Sequence, residues 1–393
     1  MRIRPVAATL AALVAVAVAV GCSGGDGASA SGRTTEPRPT TAPTTTTPRR
    51  RVPGAAWEAA TPASAGLDPA ALDRIAGEAE AAGSRCLAVV RDGRVVDQRY
   101  WQGTDAATTQ DIFSATKSIT SVLVGIAQDD GKLRVDEPAS TWIPEWRGTP
   151  SAAVTVRDLL SNDSGREWSL AIDYVQLLRA RDRTGFAIGL GQAAPPGTVW
   201  AYNNSAIQTL QRVLQVATGQ DVAEFARTRL FEPLGMASTS MAVDALGQAQ
   251  MFEGVRSNCQ DLARLGVLML DHGRWGDRQV VSAAWVDAST GRSSTHLNDA
   301  YGYLWWLNRP GLVGDPLVAT TLGDVGAGTH RGQLVPGAPE DLFWALGLGN
   351  QVVQVDPGSG TVVVRLGPAS GRSTPPTFGP RQAAEVVTTA ITR

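Results

Sequence analysis

Strand-like runs stand near both ends of the folding part of this chain, and helical patterns fill the stretch between them. Residues 86–90 and 94–101 read as two strands joined by Asp92-Gly93, a dipeptide suited to the positive φ angles of a tight hairpin. Residues 342–346, 351–355 and 361–365 are rich in Val and aromatic side chains and read as three more strands. Residues 70–82 and 381–392 carry the spacing of amphipathic helices. Strands so far apart in sequence share one core when the two ends of the chain meet in one sheet. The order therefore predicts an α+β fold: an antiparallel sheet built from both termini, flanked by helices, with a mostly helical insertion at about 128–300. The folded domain on this reading spans 54–393, with its sheet part at 54–127 and 301–393.

What precedes residue 54 reads differently. Arg2 and Arg4 form a basic start, and the apolar run at 7–20 is too short to span a bilayer as a mature helix. Residues 1–21 therefore read as a signal peptide. Gly21-Cys22, followed by Ser23-Gly24-Gly25, resembles a bacterial lipobox, which implies cleavage before Cys22 and lipidation of its sulfur. Residues 22–53, dominated by Gly, Ser, Thr and Pro, read as a disordered tether whose Arg49-Arg50-Arg51 is a solvated charge run. The expectation is an exported lipoprotein on the extracytoplasmic face of the cell membrane, with free secretion as the alternative. An exported domain permits a disulfide between Cys86 and Cys259, although two buried thiols fit the sequence equally well. A formal charge of -2 over 393 residues excludes a nucleic-acid bias, and 43% hydrophobic residues allow a large core.

Chemistry enters at Asp111-Ile112-Phe113-Ser114-Ala115-Thr116-Lys117, which runs into the apolar, helix-compatible Val122-Leu123-Val124-Gly125-Ile126. A spacing of three places Ser114 and Lys117 on one face, one turn apart. A serine hydroxyl needs a base to become a nucleophile, and a lysine amine serves only if its pKa is lowered. Free N–H groups at a helix start favour a developing oxyanion. Further on, Pro195-Pro196-Gly197-Thr198 delivers Tyr202 and Asn204 to the start of another helical pattern. Tyr202 relays a proton if its pKa falls beside a cationic lysine, and Asn204 offers a donor and an acceptor to Lys117 and to a substrate amide.

These segments closely resemble the class C-type β-lactamase-related serine hydrolases, a group of class C β-lactamases, D,D-peptidases, family VIII esterases and nylon-oligomer hydrolases. The resemblance rests on Phe113-Ser114-Ala115-Thr116-Lys117-Ser118, Thr155-Val156-Arg157-Asp158-Leu159-Leu160 and Pro196-Gly197-Thr198 with Tyr202 and Asn204. It continues through Phe231-Glu232-Pro233-Leu234-Gly235-Met236 and Tyr301-Gly302-Tyr303-Leu304-Trp305-Trp306, in family order from about Gly66 onward. It implies a sheet domain and a helical domain with the active site between them.

The third motif departs from the family pattern. Where relatives carry Lys-Thr-Gly or His-x-Gly, this chain has Gly347-Leu348-Gly349-Asn350-Gln351. Leu348 stands in place of the cation. Gly349 lets backbone approach a substrate, and the N–H of Gln351 pairs with that of Ser114 as the expected oxyanion hole. Loss of the cation tilts the reading toward esters or amides and away from β-lactams.

Other chemistries fail. His272 reads as a helix end and His330 as a structural loop residue; no cluster has metal-ligand spacing, and no cofactor is expected. The expected function is a Ser-Lys-Tyr acyl-enzyme hydrolase of small ester, amide or peptide substrates. The alternatives are a penicillin-binding D,D-peptidase or β-lactamase, and a non-catalytic envelope binding protein. Oligomeric state leaves no mark on the sequence.

Overall fold

The computed structural model describes residues 51–54, 56–321, 328–369 and 376–392. The expected signal peptide, Cys22 and nearly all of the tether lie outside the described residues. Among the described residues, no helix is long and apolar enough to cross a membrane.

Six strands form the central sheet: β1 (Cys86–Arg91), β2 (Arg94–Tyr100), β3 (Trp306–Leu307), β4 (Phe343–Gly347), β5 (Gln351–Asp356) and β6 (Thr361–Leu366). Their order is β2-β1-β6-β5-β4-β3, with every neighbouring pair antiparallel. The junction between the two ends of the chain is β1 against β6, from Cys86 opposite Leu366 to Arg91 opposite Thr361. The β1–β2 hairpin turns at Asp92 (φ 49°) and Gly93 (φ 75°), the left-handed pair that its sequence demands. All of β5 and β6 is buried, so these strands read as near-continuous apolar runs rather than alternating ones.

Helices cover both faces. On one face lie α1 (Pro69–Ala81) and α6 (Pro380–Thr388), tied by Arg74 to Glu385 at 2.8 Å. The β5 side chain Gln354 reaches the Ala383 carbonyl from beneath at 3.1 Å. On the other lies α5 (Cys259–Leu270), nearly all of it buried, where the Cys259 sulfur approaches the Val364 carbonyl of β6. Cys86 and Cys259 are bonded as a disulfide that staples β1 to the start of α5, which resolves the alternative left open by the sequence.

The segment that carries the chemistry is α2 (Thr116–Asp129), whose residues 116–127 are all buried. A buried helix with Thr, Ser and Lys in its first turns must satisfy those groups internally. The Ser118 hydroxyl donates to the Leu304 carbonyl at 2.8 Å and that of Thr120 to the Met251 carbonyl at 2.6 Å. Thr116 accepts from the Val255 N–H at 3.2 Å. These bonds draw residues 251–255 and 304 onto the helix. Beside it stand α3 (Asn204–Gln208), capped by the Asn203 side chain, and α4 (Leu210–Thr218), ended by left-handed Gly219.

The disulfide closes a span of 173 residues and links the strand junction to the helix that covers it. Replacing Cys86 and Cys259 together by Ala should lower unfolding stability by about 2–4 kcal/mol. The check is the urea midpoint of the double variant against the parent, and an unchanged midpoint contradicts a stapling role.

Candidate active site

Ser114 occupies a tight turn, Phe113–Ala115, immediately before α2. Phe113 takes φ 49°, a left-handed conformation that costs a bulky residue energy and persists only where its surroundings hold it. The Ile112 N–H donates to the Val255 carbonyl at 3.0 Å and the Ala115 N–H returns to the Ile112 carbonyl at 3.2 Å, which hold the turn from both ends. One turn into the helix, the Lys117 amine lies 2.9 Å from Ser114 Oγ and donates to the Phe252 carbonyl at 3.0 Å. It also sits 4.5 Å from the centre of the Tyr202 ring.

Lys117 is 1% exposed. Burial lowers its pKa to about 7, against the opposing pull of the Glu253 and Asp173 charges. Among the described residues no carboxylate pairs with it directly, and Glu253 is turned to Arg183 at 2.9 Å. A large share of the amine is therefore neutral near pH 7, with a lone pair available to Ser114.

Tyr202 is buried against Trp306 and Tyr301, with ring centres 5.7 and 6.1 Å away. The Ser114 and Trp306 side chains lie close enough to its hydroxyl to favour the ionised phenol slightly. Here the structure corrects the sequence expectation. Burial pushes the Tyr202 phenol above its ordinary range, Ser114 only partly offsets this, and no lowering from Lys117 opposes it. Tyr202 thus keeps its proton at neutral pH, and the basic member of the group is Lys117.

Asn204 begins α3, but it does not hold Lys117 as expected; the Phe252 carbonyl does. Asn204 is itself held from behind by the fully buried Asp173. One carboxylate oxygen accepts the Asn204 N–H at 2.5 Å, and the other accepts the N–H and hydroxyl of Ser205 at 3.2 and 2.7 Å. The Asn204 Oδ1 is buried and has no partner among the described residues. That oxygen is an acceptor available to a substrate N–H.

The third motif requires two corrections. Gly349 (φ 76°) belongs to the β4–β5 turn, where a Cβ would lie 2.3 Å from the Pro368 carbonyl. Its missing side chain admits neighbouring backbone rather than a substrate. Gln351 opens β5, faces Gly347 of β4 across the hairpin, and is fully buried. The strand that meets the nucleophile is β4: a Cβ on Gly347 would lie 2.1 Å from the Ile112 carbonyl and 3.2 Å from the Ala115 nitrogen. Past Trp344, the outer edge of β4 has no strand partner among the described residues. The Leu342 carbonyl accepts from the Asn308 N–H on that edge at 2.9 Å. Backbone groups alternate sides along a strand, so those of residues 344 and 346 and the N–H of Leu348 face the outer edge, while the Leu348 carbonyl, past the strand end, turns back to Gln351 Nε2 at 2.9 Å.

Phe252, Glu253, Asp173 and Tyr174 carry no motif spacing and reach the site through loop paths that only packing defines, whereas Trp306 closes the Tyr301–Trp306 segment that the sequence already singled out. Trp306 is shared with a neighbouring cavity of about 520 Å³, lined also by Val313, Leu334, Leu346 and His330. His330 is exposed on its rim and touches none of the Ser114 group. Among the described residues, no group of His, Cys, Asp and Glu is placed to hold a metal ion.

The sequence profile of the Beta-lactamase family matches residues 71–387. The chain belongs to that family. It is 33% identical to penicillin-binding protein 4 of Amycolatopsis lactamdurans over 33% of this chain and 36% of that one. It is 23% identical to the 6-aminohexanoate-dimer hydrolase of Paenarthrobacter ureafaciens over 56% of this chain and 62% of that one. It is 26% identical to a D-aminopeptidase of Cereibacter sphaeroides over 51% and 42% respectively. The chain thus spans less than two thirds of the length of each of these relatives. Among solved structures, a penicillin-binding-protein homologue from Caulobacter crescentus superposes with a TM-score of 0.58 at 16% identity, over 82% of this chain and 97% of that one. A β-lactamase from Mycobacterium bovis does so with a TM-score of 0.54 at 19% identity, over 81% and 95%. At such identities these two likenesses bear on the fold alone.

Because the neutral amine is the competent form, acid-side activity is lost as pH falls through the lowered Lys117 pKa. We expect kcat/KM for an uncharged ester to rise about tenfold per pH unit below a midpoint of about 7 and to level above it. A profile without a limb near that value speaks against Lys117 as the base.

Proposed function

We propose that this protein hydrolyses small esters or amides through a covalent acyl-enzyme on Ser114. The single observation that carries this reading is the buried Lys117 amine, depressed to about 7 and 2.9 Å from Ser114 Oγ. Lys117 takes the hydroxyl proton as Oγ bonds to the substrate carbonyl carbon, and the carbonyl π pair moves onto oxygen as an oxyanion. The N–H of Ser114 receives that oxyanion, joined by the N–H of Leu348, which takes the place first expected of Gln351. Collapse breaks the bond to the alcohol or amine, which leaves with the proton from Lys117, passed by way of the Tyr202 hydroxyl. Asn204 Oδ1 accepts the N–H of an amide substrate. Water then gives a proton to Lys117, attacks the acyl carbon, and releases the acid and free Ser114.

The substrate class is supported by Leu348, 64% exposed where relatives carry a cation, and by Val313, Leu334 and Leu346 in the cavity that Trp306 lines, whose wall also holds the polar Asp315, Thr329, His330 and Asn350. Relatives named as an amide-dimer hydrolase and an aminopeptidase add weight to amides. A D,D-peptidase or β-lactamase activity is the second reading, favoured by the 33% identity to a penicillin-binding protein; a lasting penicillin adduct on Ser114 would mark it. For location we propose export with a lipid anchor at Cys22. The Cys86–Cys259 disulfide supports an oxidising compartment, since such bonds are rare in the cytosol.

Ser114→Ala should abolish turnover of a short-chain nitrophenyl ester while leaving the circular dichroism spectrum intact, and turnover at the parent rate by that folded variant sinks the reading. The Leu348 donor is tested by a pair of variants. Leu348→Ala keeps the N–H and should stay within about threefold of the parent, whereas Leu348→Pro removes it and should lose about 10²–10³ in kcat. Equal activity in the two means that the oxyanion is held elsewhere.

A further inference from the structure

Arg365 lies on β6, 1% exposed, and among the described residues no carboxylate pairs with it. Desolvation lowers its pKa to about 10 with no opposing charge to offset it. A guanidinium buried without a counter-charge is expensive, and here it is met only by neutral oxygens. Nε donates to Ser84 Oγ at 2.7 Å, and one terminal nitrogen donates to the carbonyls of Gly349 and Asn350 at 2.7 and 2.9 Å. The carbonyl of the first turn residue, Leu348, is taken by Gln351 Nε2 at 2.9 Å. Gln351 is fixed in turn by Gln110 and by both backbone groups of Gly367, each bond 2.9 Å. All three carbonyls of the β4–β5 turn are therefore held by buried side chains.

We propose that Arg365 is a positioning residue for the hydrolytic reaction: it draws the β4–β5 turn onto the sheet and so sets the distance between β4 and the Ser114 turn. The proposal rests on the reading of Ser114 as nucleophile. Gly347 already lies against Ile112 and Ala115 with no room for a Cβ, so a turn released from Arg365 shifts the Leu348 N–H relative to Ser114. Arg365 touches no substrate; it acts through the turn.

The test uses the full chain with a nitrophenyl ester, and follows kcat, KM and acylation of Ser114 by intact mass. Arg365→Ala should lower kcat at least about tenfold with KM within about twofold, and millimolar guanidinium should restore part of the loss. Val363→Ala, two residues away on the same buried strand, is the control for stability: it opens a cavity without touching the turn. It should lower the melting temperature yet keep kcat. If Arg365→Ala does not fold, Arg365→Lys, which keeps the charge but not the three-oxygen fork, should acylate Ser114 more slowly than the parent and than Val363→Ala. Parent-like kcat in either Arg365 variant overturns the proposal, as does a loss that Val363→Ala shares and guanidinium leaves unchanged. Turnover by Ser114→Ala would instead overturn the nucleophile assignment, so the two failures are distinguishable.

Discussion

The burial of one amine governs the site. An exposed lysine stays charged through the neutral range and cannot take a proton from serine. Lys117 becomes basic there because α2 is enclosed on every side, with only the Phe252 carbonyl and Ser114 Oγ to receive its hydrogens. That enclosure has requirements elsewhere. The loop 251–255 must be pinned to the helix, which Thr120 and Thr116 do, and the nearby carboxylates must be kept from pairing with the amine. Glu253 is engaged by Arg183, and Asp173 by the start of α3. A direct ion pair would raise the lysine back toward its ordinary pKa.

The same logic divides work between the two protonatable partners of Ser114. Lys117 and Tyr202 are both buried, yet burial drives them apart: it favours the neutral form of each, which is the base for lysine and the protonated donor for tyrosine. Their roles then differ without any further device. Asp173 serves a third purpose, since its carboxylate neutralises N–H groups that open α3 and fixes Asn204 with its Oδ1 unengaged.

The sheet supplies the opposite wall. Strand β4 is the last long strand on its side, β3 pairs with it over two residues only, and the turn that holds Ser114 packs against it at Gly347. Buried polar groups, Arg365, Gln351 and Gln110, stand behind the hairpin where an apolar core would have been simpler. Such networks specify one geometry, because a shifted turn would leave several of these groups unsatisfied at once.

Much of this was legible in the residues. Strand runs at both ends, the Asp92-Gly93 turn, and the Ser114–Lys117 spacing depend on local chemistry: dihedral preference, side-chain period and helical repeat. These act over a few residues and survive being read one segment at a time. The partners of Lys117 were not legible, since Phe252 contributes a backbone carbonyl, which no residue type advertises. Nor was the register of the third motif, where a one-strand displacement separates Gln351 from β4. The pKa order of Lys117 and Tyr202 depended on how completely each is enclosed, a sum over the whole fold. By itself the sequence determined the family, the mixed architecture and the pairing of Ser114 with Lys117, because those rest on short-range pattern. Only the tertiary structure decided which groups surround the amine, which strand meets the Ser114 turn and that two cysteines 173 residues apart are joined, because burial and strand register arise only when distant segments pack.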